Sequence, residues 1–111
     1  MAWTIDDAVA NKDVVDAKIY VGEVSFRLGN LTPRITIKLY RRPGDREVYF
    51  QESHFIRIPE LESADVVGPK SDSNEAYALT HAVEGLTRIY DAAVEQGLKP
   101  SDSWLVANEA F

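Results

Sequence analysis

The chain has 111 residues, of which 45% are hydrophobic and 27% charged, and it contains no cysteine. A chain of this length fits one domain with its own hydrophobic core, so we expect a single α+β domain over residues 1–111. The lack of cysteine excludes disulfide bonds, thiolate metal sites and cysteine nucleophiles. Acids near the N-terminus and the lack of an apolar run of about 20 residues argue against a signal peptide and a membrane span. We therefore expect a cytoplasmic protein with no membrane partner.

Charge is distributed unevenly along the chain. The net charge is −6, which favours solubility and disfavours uniform attraction to nucleic acid. Residues 34–46 hold five basic residues against the single acid Asp45, a local charge of +4 that leaves −10 for the remainder. The sequence therefore predicts a molecule with one basic and one acidic side.

The first predicted element is a short helix over residues 5–11. Thr4 is a typical N-cap, and Asp7 stands three positions later, where an acid completes a capping box. The side chains predicted to face the core are Ile5, Ala8 and Val9.

From residue 17 the apolar pattern changes to a period of two, which predicts a strand. The residues assigned to its core face are Tyr20, Gly22, Val24, Phe26 and Leu28. Gly29-Asn30 predicts a two-residue hairpin turn, because both residues tolerate positive φ. The cross-strand pairs that follow from this turn are Val24–Ile35, Gly22–Ile37 and Tyr20–Leu39.

The second predicted strand covers residues 34–41 and alternates between apolar and polar residues. A four-residue turn over residues 42–45 leads into a third strand that ends near residue 58. Glu52 falls in phase with the core positions of this third strand. Either a bulge near Gln51 shifts the phase, which we favour, or Glu52 is an inward-pointing charge that protects an edge strand.

A long amphipathic helix over residues 73–97 is the principal element, and it follows a long acidic loop over residues 59–72. Asp72 is the expected N-cap and Gly97 the glycine that ends the helix. The apolar stripe contains Ala76, Leu79, Val83, Leu86, Tyr90 and Ala93, widened by Ala82 and Ile89. Gly85, unfavourable inside a helix, suggests close approach of another backbone.

The last segment contains four large apolar residues among its final eight, which predicts a docked C-terminal tail. We expect Ser101 to Ser103 to cap a short helix that carries Trp104 inward. The predicted fold is thus α+β: a short N-terminal helix, a three-stranded antiparallel β-meander, a long helix across one sheet face and a short apolar tail.

The sheet face opposite the long helix, here called the open face, is the most informative candidate site. Aromatic side chains beside cations are typical of surfaces that bind bases, aromatic acids or another protein. The candidate ligand or interface residues are Arg34, Lys38, Tyr40, Tyr49, Phe55 and Arg57. The simpler alternatives are an ordinary solvated face or a face covered by the C-terminal tail.

The tip of the second hairpin is basic. Arg41, Arg42 and Arg46 surround a Pro-Gly turn and offer guanidinium groups to a phosphate. The same charges also suit a hairpin end that needs only to stay soluble. The acidic remainder of the chain disfavours nucleic acid as the partner, although it stays an alternative.

The two histidines, His54 and His81, offer a third interpretation as a metal or acid–base site. Their spacing matches no ligand motif, and nothing in the sequence brings them together. We therefore predict no cofactor and no metal.

Taken together, these patterns favour a small non-catalytic binding or interaction protein of unknown partner, expected to be a homodimer with Tyr40 and Tyr49 in the contact. The alternative is a binder of single-stranded nucleic acid or a small anionic ligand that uses the open face and hairpin 41–46. An enzyme or metal site built on His54 and His81 comes third.

Overall fold

The computed structural model of the chain describes residues 4–61, 71–72 and 74–111. The elements are α1 (Ile5–Val9), β1 (Ile19–Arg27), β2 (Arg34–Arg41), β3 (Val48–Glu52), β4 (His54–Ile56), β5 (Ser71–Asp72), α2 (Glu75–Glu95) and β6 (Leu105–Ala107). None of the described helices combines the length and apolar character that crossing a bilayer requires.

The strands form a four-stranded antiparallel sheet in the order β1-β2-β3-β5 and a separate pair, β4-β6. Helix α2 packs on β2 and β3, so the predicted meander with a long helix across one face is confirmed. Part of the predicted loop 59–72 is instead a strand, because Ser71–Asp72 pairs with the outer edge of β3. The rest of that loop between residues 62 and 70 lies outside the described residues.

The first hairpin has a longer connection than the sequence predicted. Arg27 lies opposite Arg34, so residues 28–33 form the connection and Val24 pairs with Ile37 instead of Ile35. The cause is the burial of two leucines, because Leu28 and Leu31 are only 5% and 2% exposed. The Leu31 N–H donates to the Leu28 carbonyl at 3.0 Å, which closes the turn while both side chains enter the core.

A bulge between Tyr20 and Gly22 reverses the sheet face on which the side chains at the start of β1 lie. Tyr20 lies opposite Tyr40, not opposite Leu39 as predicted, and is therefore on the open face. One extra residue in an antiparallel strand reverses the alternation beyond it, which is why the simple period-two pattern placed Tyr20 in the core.

The connection of the second hairpin is two residues longer than the predicted four-residue turn, so Tyr40 lies opposite Tyr49. The Asp45 carboxylate explains this, since it accepts hydrogen bonds from the Glu47 N–H at 2.9 Å and from the Tyr49 hydroxyl at 2.8 Å. These bonds hold residues 45–47 in the loop instead of extending β3.

The third predicted strand is divided at Ser53, and the favoured bulge near Gln51 is not present. The Ser53 Oγ accepts a hydrogen bond from the Thr36 N–H at 2.8 Å, and the Ser53 N–H donates to the Thr36 carbonyl at 2.9 Å. This exchange ends β3, and β4 then leaves the sheet to pair with β6. Glu52 lies opposite Ile37, in phase with the core rows as its position implied.

Helix α2 begins two residues later than predicted. Asn74 is the N-cap, because its side chain accepts from the Ala76 N–H at 2.8 Å, whereas Asp72 belongs to β5. The helix ends before Gly97, whose φ of +80° confirms its predicted role. Apart from the adjoining turns of its own helix, no described part of the chain comes within 4 Å of a Cβ added at Gly85, so the close backbone approach inferred from it is not found within one copy of the chain.

The predicted apolar stripe of α2 is confirmed except at its first residue, because its other members are buried or pack against the core. The buried residues of the helix are Ala78, Ala82, Leu86 and Ala93, of which Ala78 was not assigned to the stripe. Ala76, which was assigned to the stripe, is exposed. The main core joins this face to the first two strands and the hairpin connection: Leu28, Leu31, Ile35, Ile37, Leu39, Val48, Ala78, Ala82, Leu86 and Leu105.

The N-terminal helix is capped as predicted but contributes nothing to the core. The Thr4 hydroxyl accepts from the Asp7 N–H at 3.0 Å, which confirms the cap. The helix ends at Val9, and Ile5 is 62% exposed, so the predicted inward face is wrong. A helix of five residues lacks the length to bury a stripe, and polar contacts hold it instead.

The C-terminal tail is docked, as predicted, through Trp104 and Leu105, which are 4% and 8% exposed. Ser101 caps a single 3₁₀ turn over Asp102–Trp104, and the chain then continues as β6 instead of the expected helix. Pairing with β4 explains the difference, because strand β4 has no other described partner for its backbone groups.

Candidate binding surface on the open sheet face

Three tyrosines form a row across the open face, one from each of three adjacent strands. Tyr20, Tyr40 and Tyr49, here called the tyrosine row, lie directly opposite one another in the strand register. The rings of Tyr40 and Tyr49 are stacked at 5.5 Å between centroids and 22° between planes. Tyr20 is tilted against Tyr40 at 5.9 Å and 56°. Such aromatic pairs stabilise a sheet face beyond the area that they bury.

The members of the row differ in how much surface they show to solvent. Tyr40 is only 7% exposed, whereas Tyr20 is 55% exposed. Tyr40 is thus the base on which the other rings pack, and Tyr20 is the most exposed ring of the row. Tyr20 is also anchored, because its hydroxyl donates to Gln51 Oε1 at 3.3 Å.

A cation lies over each ring of the tyrosine row. Lys18 Nζ is 5.0 Å from the Tyr40 centroid, and the Arg42 guanidinium is 4.9 Å from that of Tyr49. Lys38 Nζ lies 5.9 Å from the Tyr20 centroid. Within the described residues, none of these three cations forms a salt bridge with a carboxylate. The rings hold the cations in place and leave their charge available to an anion.

Phe111, at the end of the chain, also reaches this surface. Lys38 Nζ is 4.2 Å from the centroid of the Phe111 ring, which is 37% exposed. The backbone path is set by Asn108, whose N–H donates to the Ser53 carbonyl at 2.8 Å. Only the last residue of the C-terminal tail therefore covers part of the open face, as one alternative expected, because Trp104 enters the core.

Asp45 and Tyr49 modify each other's ionisation. Hydrogen bonds from the Glu47 N–H, first, and from the Tyr49 hydroxyl lower the pKa of Asp45. The same bond to Asp45 raises the pKa of Tyr49. Both shifts favour the charged carboxylate of Asp45 and the neutral phenol of Tyr49.

The open face is positively charged although the chain is acidic. Five cations belong to it by strand register or by contact with the tyrosine row: Lys18, Arg27, Arg34, Lys38 and Arg42. Among the described residues, the carboxylates on this surface are Glu23, Asp45 and Glu47, the last of which acts electrostatically on Tyr49, so this face carries +2 in a chain whose total is −6. Arg34 is oriented by a hydrogen bond from its Nε to Ser25 Oγ at 2.6 Å.

Phe55 and Arg57 do not extend this surface as predicted. Phe55 belongs to β4, where it lies opposite Val106 of β6, and both side chains are about half exposed at 50% and 45%. The Arg57 N–H donates to the Trp104 carbonyl at 2.7 Å. The break at Ser53 removes both residues from the four-stranded sheet.

The three arginines of the second hairpin have separate environments. Arg41 forms a salt bridge to Asp6 of α1, with contacts of 2.6 and 3.0 Å, and so points away from the open face. This hydrogen bond, assisted by the Gly44 N–H, lowers the pKa of Asp6 to about 2. Arg46 is exposed, and only Arg42 joins the tyrosine row.

The histidines lie in different elements. His54 lies in β4, where its Nδ1 is 2.8 Å from the Oγ of the preceding residue, Ser53. His81 is half-buried on α2. The described residues include no group of three or more His, Cys, Asp or Glu side chains arranged to hold a metal ion.

Sequence reasoning did not assign Arg27 and Phe111 to this surface, and it also missed Lys18 and Tyr20, which precede the bulge. Gly22 is the one local signal for them, because a glycine inside a strand pattern often marks a bulge. Its consequence for Tyr20 depends on the register with β2, which a single strand does not encode.

Comparison with known proteins gives no match to a family, to a curated protein or to a solved structure. The functional argument therefore rests on the geometry of the open face.

Proposed function

We propose that this protein is a non-catalytic binding protein whose open face binds an acidic segment of a protein partner. The observation that carries the proposal is the set of cations held over the tyrosine row, on a face of net positive charge. The fold supplies the support for this surface, because the rings stand on three paired strands with α2 behind them.

The cations favour carboxylates as the groups recognised. A cation–π contact at an exposed site is worth about 0.5–1 kcal/mol, enough to orient a long side chain without neutralising it. Lys18, Lys38 and Arg42 then present donors to an anion, and charge-assisted hydrogen bonds are roughly twice as strong as neutral ones. Tyr20 adds an exposed ring beside them, a combination common at the centres of protein interfaces.

The arrangement of the rings favours a peptide over single-stranded nucleic acid. Base stacking needs a ring with a free face, as in open sheets that bind RNA. Tyr40 and Tyr49 instead stack on each other, with Lys18 and Arg42 over them. The net charge of −6 also opposes approach of a long polyanion, whereas a short acidic segment meets only the local +2 face.

Fluorescence anisotropy tests this proposal with a labelled glutamate-rich peptide that contains one tyrosine. A lysine-rich peptide of equal length and a single-stranded oligonucleotide serve as the other two arms. We expect saturable binding of the acidic peptide alone. Lys38→Gln should weaken that binding about tenfold, the size expected for one charged hydrogen bond. Lys99→Gln is the matched control, because Lys99 is exposed and lies outside the open face.

The proposal is overturned if the acidic peptide shows no saturable binding up to about 1 mM, or if the two lysine variants weaken it equally. Tighter binding of the oligonucleotide than of the peptide would assign the surface to nucleic acid instead.

A further inference from the structure

We propose that two copies of this chain join edge to edge through β1, in one register with Ser25 on the two-fold axis. Strand β1 is the end strand of the four-stranded sheet and, with nine residues, its longest. Tyr40 of the tyrosine row has little exposed surface, so the β1 edge replaces it here as the location of the expected homodimer contact. This inference does not depend on the acidic peptide proposed above.

The hydrogen bonds of β2 show which β1 groups are directed outward. Thr36 uses both its N–H and its carbonyl toward β3, where it bonds with Ser53. Ser25 lies opposite Thr36 in the β1–β2 register, and neighbouring residue pairs of an antiparallel ladder alternate in bonding. Ser25 therefore directs its own N–H and carbonyl away from β2. Glu23 and Arg27, two positions to either side, do the same.

This outer edge has no partner among the described residues, whose sheet ends at β1. An edge of this kind is a template for pairing with another strand. The bulge between Tyr20 and Gly22 interrupts the first part of this edge, so residues 22–27 are the stretch with which a second strand can pair. The charges on that stretch, Glu23 and Arg27, have opposite signs and therefore do not repel a second copy in every register.

Charge selects among the symmetric antiparallel registers. A two-fold axis at Glu23 would place two glutamates directly opposite each other, which is destabilising. An axis at Ser25 places Glu23 of each copy opposite Arg27 of the other, twice. It also pairs residues that point their backbone groups outward, as hydrogen bonding requires.

The surroundings of Arg27 strengthen this choice. Arg27 lies opposite Arg34 within its own chain, so two like charges are adjacent across β1 and β2. Its Nε donates to the Leu31 carbonyl at 3.0 Å, which leaves its terminal nitrogens for a carboxylate. Glu23 of a second copy supplies that carboxylate and relieves the repulsion.

The helix-side residues fit the same register. Val24 and Phe26 are half-buried and pack against the main core. With the axis at Ser25, Val24 of one copy lies opposite Phe26 of the other, and pairs of aromatic and β-branched residues are favourable across strands. The result is a continuous eight-stranded sheet with both α2 helices on one side and both open faces on the other.

Disulfide trapping tests the register, since the natural chain has no cysteine and any disulfide must join two copies. Directly opposite residues have Cα atoms about 5.5 Å apart in a hydrogen-bonded pair, within disulfide range. We expect Ser25→Cys to form a covalent dimer rapidly under mild oxidation. Glu23→Cys is the matched control, because its two copies stand about 13 Å apart along the strands in this register.

Charge reversal provides a second measurement by sedimentation equilibrium. Glu23→Arg and Arg27→Glu should each weaken the dimer about tenfold, because either places like charges opposite each other twice. The double variant restores complementary pairs and should recover the dimer. Because the double variant also lacks the bond from Arg27 Nε to the Leu31 carbonyl, recovery of its dimer would show that loss of this bond does not explain the effect of Arg27→Glu.

A monomer at all concentrations overturns the proposal, as does equal crosslinking of Ser25→Cys and Glu23→Cys. A dimer whose dissociation constant is unchanged by both charge reversals also overturns it and indicates that the contact lies on another surface. None of these results bears on binding of the acidic peptide, which is measured separately.

Discussion

The guanidinium of Arg41 makes two hydrogen bonds to the carboxylate of Asp6, at 2.6 and 3.0 Å. The second carboxylate oxygen also accepts from the Gly44 N–H at 2.8 Å, so Asp6 contacts both the end of β2 and the turn after it. This is the main described attachment of α1, which has no buried residue. A polar clamp thus replaces hydrophobic packing in docking the N-terminal helix.

The first prediction concerns the pH dependence of this clamp. The bond to Arg41 lowers the pKa of Asp6 from 3.8 to about 2. Because the carboxylate is favoured in the folded state, its stabilising effect is complete above the ordinary pKa and is lost as pH falls from 3.8 toward 2. Asp6→Asn should therefore be less stable than the natural protein at neutral pH and should lose less stability in that acid range.

Urea titrations at several pH values measure the difference. Asp7→Asn is the control, because the Asp7 side chain makes no hydrogen bond to a described residue. Parallel acid profiles for the natural protein and Asp6→Asn would contradict the prediction.

The second prediction tests where the buried face of α2 begins. Ala78 is completely buried, whereas Ala76, two positions earlier, is exposed. Ala78→Leu should lower the free energy of unfolding by about 1–3 kcal/mol, because added methylene groups strain a close-packed core. Ala76→Leu should stay within about 0.5 kcal/mol of the natural protein. Denaturant unfolding gives both values, and the reverse order would show that Ala76, as predicted from the sequence, is the buried position.

The third prediction contrasts two glycines. Gly85 has open space where a Cβ would stand, so Gly85→Ala should raise the free energy of unfolding by about 0.5–1 kcal/mol through helix propensity. Gly29 has a φ of +55°, and a Cβ there would overlap the Tyr90 hydroxyl. Gly29→Ala should lower the stability by more than about 1 kcal/mol. Thermal and urea unfolding compare the pair, and equal effects would show that neither local environment controls the outcome.

Local patterns were sufficient wherever one element contains its own signal. The bounds of β2 and its core residues Ile35, Ile37 and Leu39 follow from strict alternation, and the structure buries all three. Thr4 and Gly97 mark helix ends through contacts or dihedral angles that involve only neighbouring residues. Periodicity also predicted one long helix on one sheet face, because each amphipathic surface must be covered by another.

The sequence by itself therefore determined the long helix α2, the strands β1 and β2, and which apolar residues of β2 are buried. The tertiary structure decided how the strands align, because Leu28 and Leu31 gain more from burial than a tight turn offers. The bulge before Gly22 then moved Tyr20 from the core to the open face. The tyrosine row exists only after these two registers are set, since cross-strand contacts join residues that no local period relates.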